Sequence, residues 1–138
     1  MIGGPSGGRD NPFFDSVRRE AEALRNVEFT GFLPLPEVER WFDRARLLVL
    51  TSSYEGMPNV FLQAWARGVP TVSTVDVGTP ANVVALDAGA LEREVERLLA
   101  DAGRWEAASA LARSHFERTH SSTEVLARYA RLLAELAR

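Results

Sequence analysis

Cysteine is absent from the 138 residues, and so is lysine. The first absence excludes disulfides, thiolate nucleophiles and cysteine-based metal sites. The second makes arginine the sole strong cation, since all 16 basic residues are arginine. A chain without lysine has no P-loop and no Schiff-base chemistry. Long apolar runs are also missing. Leu47 to Leu50 is typical of the longest, far short of the ~20 residues that cross a bilayer. Histidine is scarce: only His115 and His120 occur. A spacing of five does not place them on one helical face, and no carboxylate cluster accompanies them, so no metal is expected. Nor does one sign of charge dominate. The net charge is −3, with 8 arginines and 9 acids in residues 1–70 and 8 against 10 thereafter. This even spread offers no basic patch, so nucleic acid is not an expected partner and peripheral membrane contact is not indicated. The start, Met1-Ile2-Gly3-Gly4, lacks the charged and apolar regions of a signal peptide, and a cytoplasmic protein is the simplest expectation.

What is present is ordinary for a globular protein: 46% apolar and 25% charged residues. A single domain spanning 1–138 is expected, burying roughly 68% of its unfolded surface. Nineteen alanines beside the all-arginine basic set suggest a GC-rich, bacterial genome. Short β-branched runs alternate with amphipathic stretches. The runs Val27–Thr30, Leu47–Thr51, Thr71–Thr74 and Val83–Leu86 predict strands. Phe13, Val17, Ala21 and Leu24 have helical spacing, as do Val38, Trp41, Phe42 and Ala45. A third helix is predicted from Pro58 to Arg67, with proline in its first turn. This alternation implies βαβ units and a parallel sheet of four or five strands covered on both faces. After Asp87 the pattern is wholly helical, so 88–138 reads as a helical tail. Leu91, Val95, Leu98 and Leu99 mark one segment, which Gly103 is expected to end. Trp105, Ala108, Ala112 and Phe116 mark the next. Ser121-Ser122-Thr123-Glu124 predicts a capping box opening the last helix. Its stripe of Val125, Tyr129, Leu132, Leu133 and Leu136 is expected to dock on the chain's own layers or to self-associate. Trp41, Trp65 and Trp105 are read as packing residues.

At the N-terminus, Met1-Ile2 runs into the glycine-rich stretch Gly3–Gly8. Two residues cannot hold a place in a parallel sheet, which suggests a chain that begins inside a domain, a fragment. The glycines invite a phosphate-binding reading but fit neither G-x-G-x-x-G nor the P-loop, and a plain βα loop is the better reading.

Residues 51–74 are the most informative: Thr51-Ser-Ser-Tyr-Glu-Gly-Met-Pro-Asn-Val-Phe-Leu-Gln-Ala-Trp-Ala-Arg-Gly-Val-Pro-Thr-Val-Ser-Thr74. A strand, a polar loop, a helix start and a second strand succeed one another. The loop falls at the carboxyl end of its strand, where open α/β sheets bind ligands. Gly56 permits close backbone approach, the N–H groups near Asn59 and Val60 sit at the positive end of a helix, and Glu55 can accept bonds from hydroxyls. This suits a polyhydroxylated ligand carrying phosphate.

The pattern S-x-x-E-G-x-P-N-V-x-L-[EQ]-A-x-A-x-G-V-P-x-V resembles the C-terminal donor domain of family-4 retaining glycosyltransferases of the GT-B fold. Asn26–Leu33 resembles the strand and base-contacting loop of that family, and Leu91–Ala100 and Thr119–Leu136 resemble its closing helices. The resemblance implies an α/β/α, three-layer Rossmann-like domain, one half of a GT-B enzyme. It implies a nucleotide-sugar donor, UDP- or GDP-hexose, and retaining transfer to an acceptor hydroxyl without a metal or other cofactor. Of the family's two glutamates eight positions apart, the first, beside the transferred hexose, falls on Glu55, which becomes the expected catalytic residue. The second, on the ribose hydroxyls, falls on Gln63, which loses the charge but keeps an acceptor. Backbone amides at Gly56, Met57, Asn59 and Val60 would hold hexose and diphosphate, while Pro58 has none to give. The nucleobase would lie against Gly31, Phe32 and Leu33.

Three features depart from the family. No lysine is present to match the family's Arg and Lys on the diphosphate, the N-terminal acceptor domain that the resemblance implies is expected as a partner outside these residues, and the segment Thr79–Asn82 is short. Two alternatives stay open: a non-catalytic nucleotide-binding or partner-docking module, and a sugar-nucleotide epimerase of the same fold.

Overall fold

The computed structural model describes residues 12–137. In chain order the elements are α1 (Pro12–Glu22), α2 (Leu35–Arg44), β1 (Leu48–Leu50), α3 (Asn59–Trp65), β2 (Thr71–Ser73), β3 (Asn82–Val84), α4 (Ala88–Ala100), α5 (Ala102–Thr119) and α6 (Ser122–Leu136). The glycine-rich stretch Gly3–Gly8 lies outside the described residues. The chain divides into two compact units, one ending at Trp41 and one from Phe42 to Arg138.

In the first unit α1 is held by local pairs, with Arg18 Nε donating to Glu22 Oε1 at 3.0 Å one turn on. The segment Val27–Thr30, predicted as a strand, joins no ladder among the described residues. Its Phe29 ring instead meets the edge of Phe14 at 6.1 Å. β-propensity records a fit to a half-buried surface, and aromatic packing meets part of that fit here. Gly31 follows with φ +64°, a left-handed turn that glycine adopts at little cost. The Pro34 carbonyl then accepts from Glu37 N and Val38 N at 2.9 and 3.2 Å, starting α2.

The second unit is α/β and Rossmann-like, built on an open parallel sheet in the order β1-β2-β3. The described residues supply three strands rather than four or five. Leu48 pairs with Thr71 and Thr71 with Asn82, so the three strands run in register. Side chains alternate between faces along each strand, and each face has its own core. On one, Phe61 and Trp65 of α3 and Ala112 of α5 pack with Leu48 and Leu50. On the other, Val72 and Ala85 meet Leu98 of α4, with Val83, Leu91 and Val95 around them. The three-layer arrangement read from the strand–helix alternation is therefore present. Parallel neighbours usually need a helical crossover. β1 and β2 have one in α3, whereas residues 74–81 join β2 to β3 without a helix.

Helix ends differ from the sequence reading in three places. Pro58 is not inside α3 but is its N-cap, extended at φ −63°, ψ 126°. At the other end α3 closes in a Schellman turn rather than continuing to Arg67: Gly68 N bonds Trp65 O at 3.0 Å and Val69 N bonds Ala64 O at 2.9 Å. Gly68 has φ +68°, and a Cβ there would stand 3.0 Å from Ser109 Oγ, so glycine also lets α5 approach. Gly103 does not end α4. Asp101 does, being extended, and its carboxylate accepts from Arg104 N to cap α5, with Gly103 inside the first turn. An aspartate's local hydrogen bond thus overrides the glycine signal. Asp87 caps α4 through Ala90 N at 2.8 Å, and Ser121 caps α6 through Glu124 N at 3.3 Å.

Trp65 is fully buried, and Trp105 anchors α5 by donating Nε1–H to Arg46 O at 2.6 Å, with the Arg46 guanidinium 5.4 Å over its ring. Of the two expectations for the apolar stripe of α6, docking on the chain's own layers is not met among the described residues. α6 buries no residue, and Leu126, Leu133 and Leu136 are 67%, 64% and 75% exposed.

Candidate functional site

The loop between β1 and α3 leaves the carboxyl edge of the sheet, and α3 returns beneath it. β1 ends at Leu50 because Ser52, Ser53 and Gly56 supply no apolar side chain to continue either face. Glu55 stands in the middle of this loop, half-buried, and no described side chain or backbone group bonds its carboxylate. Gly56 is exposed, and the space where a Cβ would stand is open. Met57 is exposed, and Tyr54 is 88% exposed.

α3 begins without a side-chain cap, because its N-cap is Pro58. The N–H groups of Asn59 and Val60 are first-turn donors with no intrahelical acceptor. Phe61, Ala64 and Trp65 form the buried face of this helix. At 3.6 residues per turn, Asn59 and Gln63 share the opposite face. Asn59 is exposed and Gln63 half-buried. The second unit thus brings together, on one loop–helix junction, a carboxylate, an amide side chain and unpaired backbone donors. That set binds hydroxyls and anionic oxygens rather than apolar groups.

Gly31, Phe32 and Leu33 belong to the first unit. Gly31 makes the left-handed turn, Phe32 is 93% exposed and Leu33 half-buried. No group of three or more metal-ligating residues occurs among the described residues. No helix among them is long and apolar enough to cross a membrane.

Two groupings went unread in the sequence. His115 and His120 do meet: their ring centroids are 5.4 Å apart, because His120 follows the last turn of α5 and folds back over it. The Trp65 ring lies against both, at 5.3 and 6.1 Å. His115 Nε2 shares a 2.9 Å hydrogen bond with Thr79 Oγ1. Burial lowers the pKa of His115, aided by His120 and Arg118, and burial with Arg128 lowers that of His120. The second grouping is a buried polar chain. Trp65 Nε1–H donates to Thr71 Oγ1 at 3.1 Å, and that hydroxyl donates to Asn82 Oδ1 at 3.0 Å. Asn82 Nδ2 in turn donates to Ser73 Oγ and to Val75 O at 3.0 and 3.1 Å.

A family described as glycosyl transferases group 1 matches residues 1–111. The chain belongs to that family. Among curated proteins it is 38% identical, over 74 residues, to proteins named as the colanic acid biosynthesis glycosyltransferase WcaL in Salmonella typhimurium and in Escherichia coli. Each of these alignments covers 49% of this chain and 18% of the relative. It is 36% identical over 61 residues to the Vi polysaccharide biosynthesis protein VipC/TviE of Salmonella typhi, covering 39% of this chain and 11% of that protein. The aligned part is thus a small share of each relative's length.

Proposed function

We propose that this group 1 glycosyltransferase chain binds the nucleotide-sugar donor, a UDP- or GDP-hexose, for retaining transfer to an acceptor hydroxyl in bacterial polysaccharide synthesis. The observation that carries the reading is the junction of the β1–α3 loop with α3. There Glu55 has no partner among the described residues, and the amides of Asn59 and Val60 lack an intrahelical acceptor. Glu55 accepts hydrogen bonds from the hexose and is the catalytic residue. The amides of Gly56, Met57, Asn59 and Val60 take the diphosphate and stabilise it as leaving group, where negative charge develops. Gln63 accepts from the ribose. None of these contacts calls for a metal or another cofactor.

Calorimetric titration with UDP, GDP and their hexosyl conjugates tests this division of labour. Glu55→Ala is expected to weaken the hexosyl nucleotides while leaving the bare diphosphates unchanged. Gln63→Glu is expected to tighten both classes about fivefold, since charged acceptors make hydrogen bonds ~1 kcal/mol stronger than neutral ones. Equal losses on both classes in Glu55→Ala would show that Glu55 does not face the sugar.

A further inference from the structure

The loop that carries Glu55 has little of its own to hold it in place. From Thr51 to Met57, the described residues supply one hydrogen bond: Thr74 Oγ1 donates to Ser52 O at 2.8 Å. Thr74 is well placed to act as an anchor, because it is itself fastened from two sides. Its backbone N–H donates to Leu50 O at 3.1 Å, carrying the β1–β2 ladder one residue past Ser73. The turn it begins is closed by Ser73, whose Oγ donates to Val75 O at 2.8 Å and accepts from the buried Asn82 Nδ2. Asn82 is bound to Thr71, and Thr71 to Trp65 of α3. The same buried polar chain therefore ties down α3 and the residue that grips the loop's root.

We propose that Thr74 is a positioning residue for the donor site. Its hydroxyl fixes the direction in which the chain leaves β1 at Ser52, and with it the place of Glu55 three residues on. This rests on the donor-site reading for its purpose, though not for its geometry. Ser52 O is part-buried, so losing the bond leaves a carbonyl that must turn towards water, and the loop turns with it.

Thr74→Val keeps the shape and removes the donor, while Thr74→Ser keeps the donor. NMR relaxation on the full chain without nucleotide reads the loop directly. In Thr74→Val the backbone order parameters of Tyr54, Glu55 and Gly56 are expected to fall below about 0.6, with those in β2 unchanged. Thr74→Ser should restore them. The affinity for UDP- or GDP-hexose should fall about three- to tenfold in Thr74→Val, the span of one net hydrogen bond, and return in Thr74→Ser. Unchanged order parameters overturn the proposal. So does a loosened loop with unchanged affinity. A wild-type chain that binds neither hexosyl nucleotide overturns the donor-site reading instead, while the order parameters still decide the pin. Thr74→Ala is the second variant lacking the hydroxyl. If it and Thr74→Val both fail to fold, Thr74 serves stability alone and the positioning role falls.

Discussion

Protonating either histidine of the His115–His120 pair places a positive charge beside another imidazole, within a partly buried cluster against Trp65. The nearby charges that act on the pair, Arg118 and Arg128, are also positive. Both histidine pKa values are thus lowered from the usual 6.5 in the folded chain. The unfolded chain then binds more protons through this range, so stability rises with pH. It is fully present above about pH 6.5 and is lost as pH falls through the lowered folded values. The melting temperature is expected to drop as pH is taken from 7 to 5. A double His115→Gln, His120→Gln variant should be flatter over that window. Asp101 and Glu124, also lowered, act only below the ordinary carboxylate range. Parallel profiles for the two proteins would show that the pair is not linked to folding. That these rings meet was not legible in the sequence, because a spacing of five is out of phase on a helix. It depends on α5 ending at Thr119. The place of Glu55 was easier to read, since a polar loop between an apolar strand and a helix start falls at the sheet's carboxyl edge wherever the helix ends, whereas Gln63 was singled out only by the family resemblance.

β2 is the best-buried element, with Thr71, Val72 and Ser73 all buried. Its two hydroxyl residues point to the α3 side and must be satisfied there. Thr71 links three elements in one bond chain, between Trp65 Nε1 of α3 and Asn82 Oδ1 of β3. Thr71→Val preserves volume but leaves a buried indole N–H and a buried amide oxygen without their partner. The expected loss is about 1–3 kcal/mol, the penalty for orphaned buried groups. Thr71→Ser should recover most of it. Denaturant unfolding checks this as a lower midpoint at an unchanged slope. An unaltered midpoint would mean that Trp65 and Asn82 find other partners. At this scale the sequence was legible where a pattern has one local cause. The Ser121 cap and the strands at Leu48, Thr71 and Val83 are of this kind. It was not legible where two local signals compete, as Asp101 and Gly103 do, or where strand-like composition joins no ladder among the described residues, as at Val27–Thr30. The Thr74–Ser52 bond belongs to a third kind, set by the β1–β2 register, which propensity does not encode.

Within the second unit, stability is unevenly spread, and α6 holds the weak end. It packs on α5, buries no residue of its own and turns Leu126, Tyr129, Leu132, Leu133 and Leu136 outward. Its other support is one bond to α5, Arg128 Nη2 donating to Arg118 O at 3.2 Å, and local pairs: the Ser121 cap, and Glu124 with Arg128 at 2.9 Å and with Arg131 at 3.5 Å. A helix of 15 residues held mainly by such pairs is marginal in water. α4, by contrast, plants Leu98 in the core beside Val72 and Ala85. Hydrogen exchange on a monomeric sample should therefore show the amides of residues 126–136 opening well before those of α5. Leu133→Asp and Leu136→Asp should each change unfolding free energy by no more than about 0.5 kcal/mol, as exposed substitutions do. Leu98→Ala should cost about 2–5 kcal/mol, since it empties a buried site. If α6 instead exchanges as slowly as α5, its apolar face is covered in solution. The two aspartate variants would then lose several times more stability than exposure allows.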